Sequence, residues 1–408
     1  MSAGSARPGY RWVILVVATL TQACACFFVQ GIGAISVPIK DGLELSSLQV
    51  GLLVSAAQLV PIAGLLVAGE LLDRFSERVV VGVGTLIVAA ALFATYWAQS
   101  YAALLSFLIV VGAGYSTAQP GGSKSVSRWF DKSQRGFAMG IRQAGLPLGG
   151  ALSALLLPFF SSRYGWQSSF LVAGAVTLVG AFAFILFYRT PPAAPGPPAA
   201  PAELHFAAML KSRLAMLGDP AMKNIIWSGI ALISVQNGIL VFLVLYLHDS
   251  LGVGLGIATT LLFVVQGSGV AGRIALAAWS DHCRWGRYFP VMTCLSAVIA
   301  GLALLMLLPA PSTPVLGILA AWLGFFGFGW YGPWVAYVAD TAPPEMTGFA
   351  LGLAMAVNQV AIVTVPPFLG WLGDATASFV PGWVFLCLFC GLALGITAYT
   401  RSVPVRSS

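Results

Sequence analysis

Twelve apolar runs, each long enough to cross the hydrocarbon core of a bilayer, divide this chain from end to end. A crossing helix needs about 20 predominantly apolar residues. Such runs cover approximately 12–37, 48–71, 79–98, 102–123, 137–160, 167–188, 224–247, 257–279, 288–308, 314–339, 348–371 and 381–400. Only 8% of the 408 residues are charged and 59% are hydrophobic. A soluble domain carries about 25% charged residues, so this chain has too few to cover a water-facing surface. Inside a bilayer every backbone polar group must be satisfied within the chain, and isolated runs of this length do so as helices. The sequence therefore predicts an all-α membrane protein with 12 transmembrane helices.

The net charge of +7 could point to nucleic acid. That partner is excluded, because the basic residues are scattered between apolar runs rather than gathered on one face. Their placement follows the excess of Lys and Arg in cytoplasmic loops. Of the 20 Lys and Arg, 16 fall on the side of the N-terminus, Lys40 and Arg163 fall on the other side, and Arg142 and Arg273 fall inside spans. The expectation is a multi-pass protein of the cell inner (plasma) membrane with both termini cytoplasmic and no cleavable signal peptide. The lipid bilayer is then its first partner.

Chemistry that would make the chain an enzyme is not visible. His205, His248 and His282 all sit in loops, and none of the six cysteines has metal-ligand spacing with a histidine. No catalytic constellation, metal site or cofactor is expected. The thirteen acidic residues include none near a span centre; Glu70, Asp73, Asp281 and Asp340 stand at cytoplasmic ends, and Asp41, Glu44, Asp249 and Asp374 at or near the outer face.

The chain reads as a duplication. Gly69-Glu70-Leu71-Leu72-Asp73-Arg74-Phe75-Ser76-Glu77-Arg78 closes span 2, and Trp279-Ser280-Asp281-His282 with Arg284 and Arg287 closes span 8. Gly136-Phe137-Ala138-Met139-Gly140 opens span 5, and Gly348-Phe349-Ala350-Leu351-Gly352 opens span 11. The offsets, 208 between the aspartates and 212 between the glycine motifs, agree closely. Between the copies lies a stretch containing Pro191, Pro192, Pro195, Pro197, Pro198 and Pro201, which reads as extended. Residues 204–217 read as a short helix on the membrane surface, and Asp219-Pro220 as the cap and first residue of span 7. The predicted organisation is a six-helix bundle over 1–188, a cytoplasmic linker over 189–223 and a second, pseudo-symmetric six-helix bundle over 224–408. Internal repeats of this kind point to a secondary transporter.

On these residues the chain resembles the major facilitator superfamily over nearly its whole length. Gly69, Leu71, Asp73, Arg74 and Arg78 match the family's first signature, while Ser76 and Glu77 depart from it. The resemblance implies two six-helix bundles that alternate in access around one central site, and a gating role for Gly69, Asp73, Arg74, Arg78 and Asp281. In a state closed at the cytoplasmic end, Asp73 is expected against the start of span 11, near Thr347 and Gly348. Drug exporters of the family usually carry an Arg in span 4 before a Gly-x-Gly; here Gly112-Ala113-Gly114 is present but Leu108 stands at that position. Arg273, eight residues before Asp281, is similar to the substrate-anion arginine of the family's monocarboxylate and oxalate carriers.

A charge at the bilayer centre costs about 2.5–3.5 kcal/mol on insertion scales, so each arginine inside a span needs a reason. Arg273 is about 12 Å from the cytoplasmic end of span 8 at 1.5 Å per residue. That is too deep for easy snorkelling, and it is expected either to bind the substrate's anionic group or to form a structural pair. Arg142, about 9 Å into span 5 by the same rise, is expected either at the substrate or paired with Asp281. Trp330 and Tyr331 in span 10 read as packing aromatics or as a cavity wall touching the substrate. Gln30 and Gln236, early in spans 1 and 7, and Asn358 read as helix bridges or cavity lining, as do Gln58, Gln266 and Gln359. The predicted function is secondary transport of a small organic anion, coupled to protons or a counter-substrate, by a monomer. Export of drugs or uncharged metabolites is the alternative.

Overall fold

The computed structural model describes residues 9–190, 220–308, 312–341 and 347–402. The described residues are almost entirely helical and form twelve helices long and apolar enough to cross a membrane. Most of the proposed 189–223 linker, with the expected surface helix and the Asp219 cap, lies outside them.

Several spans are built from two pieces. Span 1 is a helix Tyr10–Gly31, a tight 3-10 turn Ile32–Ile35 and a short helix Ser36–Gly42. Span 2 is Ser47–Leu59 followed by Pro61–Arg74. The break falls where Pro61 has no N–H to give to the preceding turn. Span 4 is Tyr101–Tyr115 and Ala118–Trp129, and span 10 is Thr313–Gly329 and Tyr331–Thr341. Span 7 runs Pro220–Leu245 and ends in a wide turn Tyr246–Ser250. Thus spans 1 and 7, and spans 4 and 10, are irregular in both copies. The remaining spans are Glu77–Thr95, Lys132–Tyr164, Ser168–Phe187, Leu255–His282, Tyr288–Leu307, Thr347–Thr376 and Val380–Ser402. They are spans 3, 5, 6, 8, 9, 11 and 12.

Burial sorts the spans by position. Span 7 has 94% of its apolar window buried, whereas spans 11 and 12 have 33%. Span 7 therefore runs through the middle of the protein. Side chains such as Leu307, Ile318 and Leu388 stay exposed on the outer surface. In water such a surface would drive aggregation; in lipid it is the proper solvent contact.

The two halves meet differently at the two ends. At one end, Lys40 of span 1 pairs with Asp249, in the turn that ends span 7, at 2.9 Å. There Ser46 and Gln49 form a reciprocal cap on span 2, and the next two N–H groups, of Ser47 and Leu48, both donate to the Asp374 carboxylate of span 11 at 2.8 Å. Those N–H groups have no partner inside their own helix, so an acid from the other half completes the cap. At the opposite end the ion pairs stay within one half. Lys124 pairs with Asp73 at 2.9 Å and Arg128 with Glu77 at 2.8 Å. Arg287 pairs with both Asp281 and Asp340. Burial alone would lower the Arg287 pKa, but the two carboxylates outweigh it and raise it. Among the described residues, no ion pair joins the halves at this end.

Candidate functional site

Near the middle of the protein the halves enclose a cavity of about 120 Å³. Among the described residues, Arg273 is its only charged lining residue. Close contact between spans 8 and 10 places it there. A Cβ on Gly272 would lie 2.2 Å from the Phe325 carbonyl oxygen, and one on Gly324 2.1 Å from that of Val265. Only glycine lets the two backbones approach this closely. The first piece of span 10 ends at Gly329, and the last carbonyls of a helix lack a partner within it. One of them, Phe328 O, accepts from Arg273 Nε at 3.1 Å.

The remaining surroundings of Arg273 are neutral. Nη1 donates to the Gln143 carbonyl oxygen of span 5 at 3.0 Å, and the guanidinium sits 5.3 Å from the centre of the Tyr331 ring. The ring's negative face favours a cation there. Among the described residues no carboxylate reaches Arg273. A guanidinium offers five N–H donors, and the two carbonyls leave several of them for a ligand.

Gln30, Gln236, Asn358 and Tyr331 line the cavity with Arg273. Gln30 stands one residue from the end of Tyr10–Gly31, and Gln236 past the middle of Pro220–Leu245. Both are deeper than the sequence reading placed them. Two expectations need correction. Arg142 reaches neither the cavity nor Asp281. It is fully buried within its own half, where Nη2 donates to Gln22 Oε1 at 2.8 Å, to Gln119 O at 2.6 Å and to Ala118 O at 3.3 Å. Gly122 makes room for it, since a Cβ there would lie 2.6 Å from Arg142 Nε. Asp281 is taken by Arg287 instead. Trp330 does not line the cavity either. It is wholly buried, and its Nε1 donates to Gln236 Oε1 at 3.0 Å, which fixes that carboxamide.

The residues read as gating stand at the end where the halves are not fastened. Asp73 is 80% exposed beside Lys124, and Arg74 pairs with Glu70 one turn back. Arg78 is exposed, and nothing lies within 4 Å of a Cβ on Gly69. The expected meeting of Asp73 with the start of span 11 concerns a different conformation, closed at this end. The sequence reading missed Gln22, Tyr115, Gln119 and Asn237. Gln22 and Asn237 were visible as carboxamides in apolar runs, but nothing in the sequence said which one would face an arginine.

Comparison with known proteins fits this architecture. The family model described as Major Facilitator Superfamily matches residues 18–366. The chain belongs to that superfamily. It is a multi-pass membrane transporter rather than an enzyme. It is 28% identical, over 98% of its length and 86% of the relative's, to an uncharacterized MFS-type transporter of Mycobacterium tuberculosis. It is 23% identical to a hexuronate transporter of Bacillus subtilis, over 87% of each chain. Its fold is similar to that of a bacterial homolog to the human lysosomal transporter Spinster in an inward-facing and occupied conformation. The TM-score is 0.75 at 17% identity, covering 98% of both chains.

Proposed function

We propose that this protein is a secondary active transporter of a small organic anion, a carboxylate, and that Arg273 anchors the anionic group. The observation that carries the reading is an arginine in the central cavity with free N–H donors and no carboxylate partner. Arginine's planar fork matches a carboxylate with two parallel hydrogen bonds. The hexuronate transporter among the relatives moves an anion of this chemistry. Against the exporter reading stands Leu108, in the place of the exporter arginine.

Transport runs by alternating access, with the halves 1–188 and 224–408 rocking about the site and 189–223 as the linker. The Asp73 end and both termini are cytoplasmic, on the strength of the 16-to-2 charge split. The described conformation is then sealed outside and faces inward. The carrier works as a monomer and couples to protons or to a counter-substrate.

The test is uptake into proteoliposomes by wild type, Arg273→Lys and Arg273→Ala at matched protein. The substrates are glucuronate, gluconate, inorganic sulfate and a cationic dye. Uptake of a carboxylate by wild type, reduced in Arg273→Lys and lost in Arg273→Ala, is the expected result. Arg273-independent transport of the dye alone would overturn the reading.

A further inference from the structure

We propose that the substrate is a hydroxylated monocarboxylate, and that the carboxamides around Arg273 read its hydroxyl groups. This rests on the anion reading above and adds what the rest of the ligand must carry. The chain contains fifteen asparagines and glutamines in all. Seven of them line this one cavity: Gln30, Gln58, Gln119, Gln236, Asn237, Asn358 and Gln359. A carboxamide taken out of water is costly unless both its ends find partners. When the halves close over the site and water is excluded, an occupant must supply these partners.

Most of these carboxamides are held at one end and free at the other. Gln236 accepts from Trp330 Nε1 and keeps its N–H groups. Asn237 Nδ2 donates to Ile233 O at 2.9 Å and keeps its carbonyl. Gln359 Nε2 donates to both oxygens of Gln58 and keeps its own carbonyl, while Gln58 keeps its N–H groups. Gln30 Oε1 and Asn358 Oδ1 are buried and accept no hydrogen bond among the described residues. The cavity thus offers donors and acceptors together, beside one fixed positive charge.

The chemistry of the occupant follows from that mixture. A bare carboxylate or an inorganic oxyanion only accepts. It would satisfy Arg273 and the free N–H groups and leave four carbonyls unmet. A hydroxyl both donates and accepts, and so serves either kind of group. An ammonium would serve the carbonyls, but it would enter a cavity whose fixed charge is positive and which holds no carboxylate to receive it. Among the described residues a second carboxylate has no second cation, because Arg142 does not line the cavity and its Nη2 is held by Gln22, Gln119 and Ala118. A site built to hydrogen-bond a substrate hydroxyl rejects an analogue lacking it, because its own buried polar groups are then left unpaired.

The experiment is equilibrium binding to the purified full chain, read by thermal shift and by competition. Two pairs of probes are used: gluconate against hexanoate, and glycerate against propionate. Each pair shares a carbon chain and one carboxylate and differs only in hydroxylation. In at least one pair the hydroxylated acid is expected to bind about 100-fold more tightly or better, in the direction set by unmet polar groups. Asn237→Leu should narrow that gap at least tenfold, and Asn237→Ser, a milder change that keeps the fold, should narrow it less. Arg273→Ala should abolish binding of both members. Equal, Arg273-dependent binding within both pairs overturns this inference and leaves the anion reading intact. Tighter binding of β-alanine than of any hydroxy acid also overturns it, by assigning the carbonyls to an ammonium. Absence of any Arg273-dependent carboxylate binding overturns both readings.

Discussion

Arg273 donates from Nη1 to the carbonyl oxygen of Gln143 at 3.0 Å, so the cation of one half of the protein is held by the backbone of the other. Its Nε is held by Phe328 within its own half. The guanidinium is therefore both the charged wall of the cavity and a tie across it. On the proposed reading, a bound carboxylate takes the N–H donors that these two carbonyls leave free, so occupancy of the site and the grip between spans 5 and 8 act on one side chain.

The first prediction concerns that side chain. Charge-assisted hydrogen bonds contribute about 1.5–3 kcal/mol, which is roughly 10- to 150-fold in affinity. Arg273→Ala should lose at least that much in carboxylate binding. Arg273→Lys keeps the charge but not the fork, so it should fall between the two. Titration of the purified proteins with the best-binding carboxylate measures the difference. Equal affinity for wild type and Arg273→Ala would remove Arg273 from the site.

The second prediction separates the two arginines. Arg142 is a fully buried charge held by one side chain and two carbonyls. Gln22→Leu removes the side-chain acceptor and leaves the charge, so it should destabilise by about 1.5–3 kcal/mol. Arg142→Met removes the charge as well, and replacing buried ionic groups by apolar ones of similar size is often neutral. The double variant Gln22→Leu/Arg142→Met should therefore be more stable than Gln22→Leu alone. Thermal melts of the three proteins decide this. A double variant less stable than both singles would show that the charge itself holds the bundle together.

How far the fold was legible follows from what each feature depends on. All twelve spans were readable, because a bilayer-crossing helix announces itself by length and hydropathy alone. The place of Arg273 along span 8 was readable for the same reason, since a helix converts residue count into distance. The direction a side chain points was not. Arg142 looked equally placed for Asp281, and what turned it inward was the space left by Gly122 and the acceptor offered by Gln22, both on other spans. For Trp330 and Tyr331 the sequence left packing and cavity lining open. Neighbouring residues on a helix point about 100° apart, and here Tyr331 lines the cavity while Trp330 is buried. Contacts that depend on which half leans on which, such as Asp374 on span 2, carry no local pattern.

The third prediction weighs the two fastenings at the Lys40 end. Lys40 and Asp249 are 26% and 34% exposed. An exposed pair of this kind contributes about 0–1 kcal/mol, so Lys40→Ala should change the conformational balance little. Asp374 accepts two backbone N–H groups at a helix start, where helix dipole and hydrogen bonds act together. Asp374→Asn should therefore shift the population toward the state open at this end more than Lys40→Ala does. The readout is labelling of Met355→Cys, a cavity position, by a membrane-impermeant maleimide from each side. A larger effect from Lys40→Ala would reverse the ranking.

The last prediction uses three glycines that seal the same end. A Cβ on Gly33 of span 1 would lie 1.7 Å from the Leu240 carbonyl oxygen. One on Gly51 of span 2 would lie 2.5 Å from that of Pro366, and one on Gly370 of span 11 2.2 Å from that of Ser47. In each case the obstacle is backbone of the opposite half, which cannot rotate out of the way like a flexible side chain. An added methyl must push the halves apart at this end. Once they part, alanine in a helix is favoured over glycine by about 1 kcal/mol, so the protein should still fold. Gly370→Ala should thus raise labelling of Met355→Cys from the Lys40 side and lower it from the Asp73 side. Gly272→Ala is the control. Its obstacle, Phe325 O at 2.2 Å, lies in the same half, so no rocking of the halves relieves it. That variant should lose thermal stability without shifting the labelling pattern. If Gly370→Ala leaves labelling from both sides unchanged while Gly272→Ala behaves as expected, the close approach of spans 2 and 11 is not what seals this end.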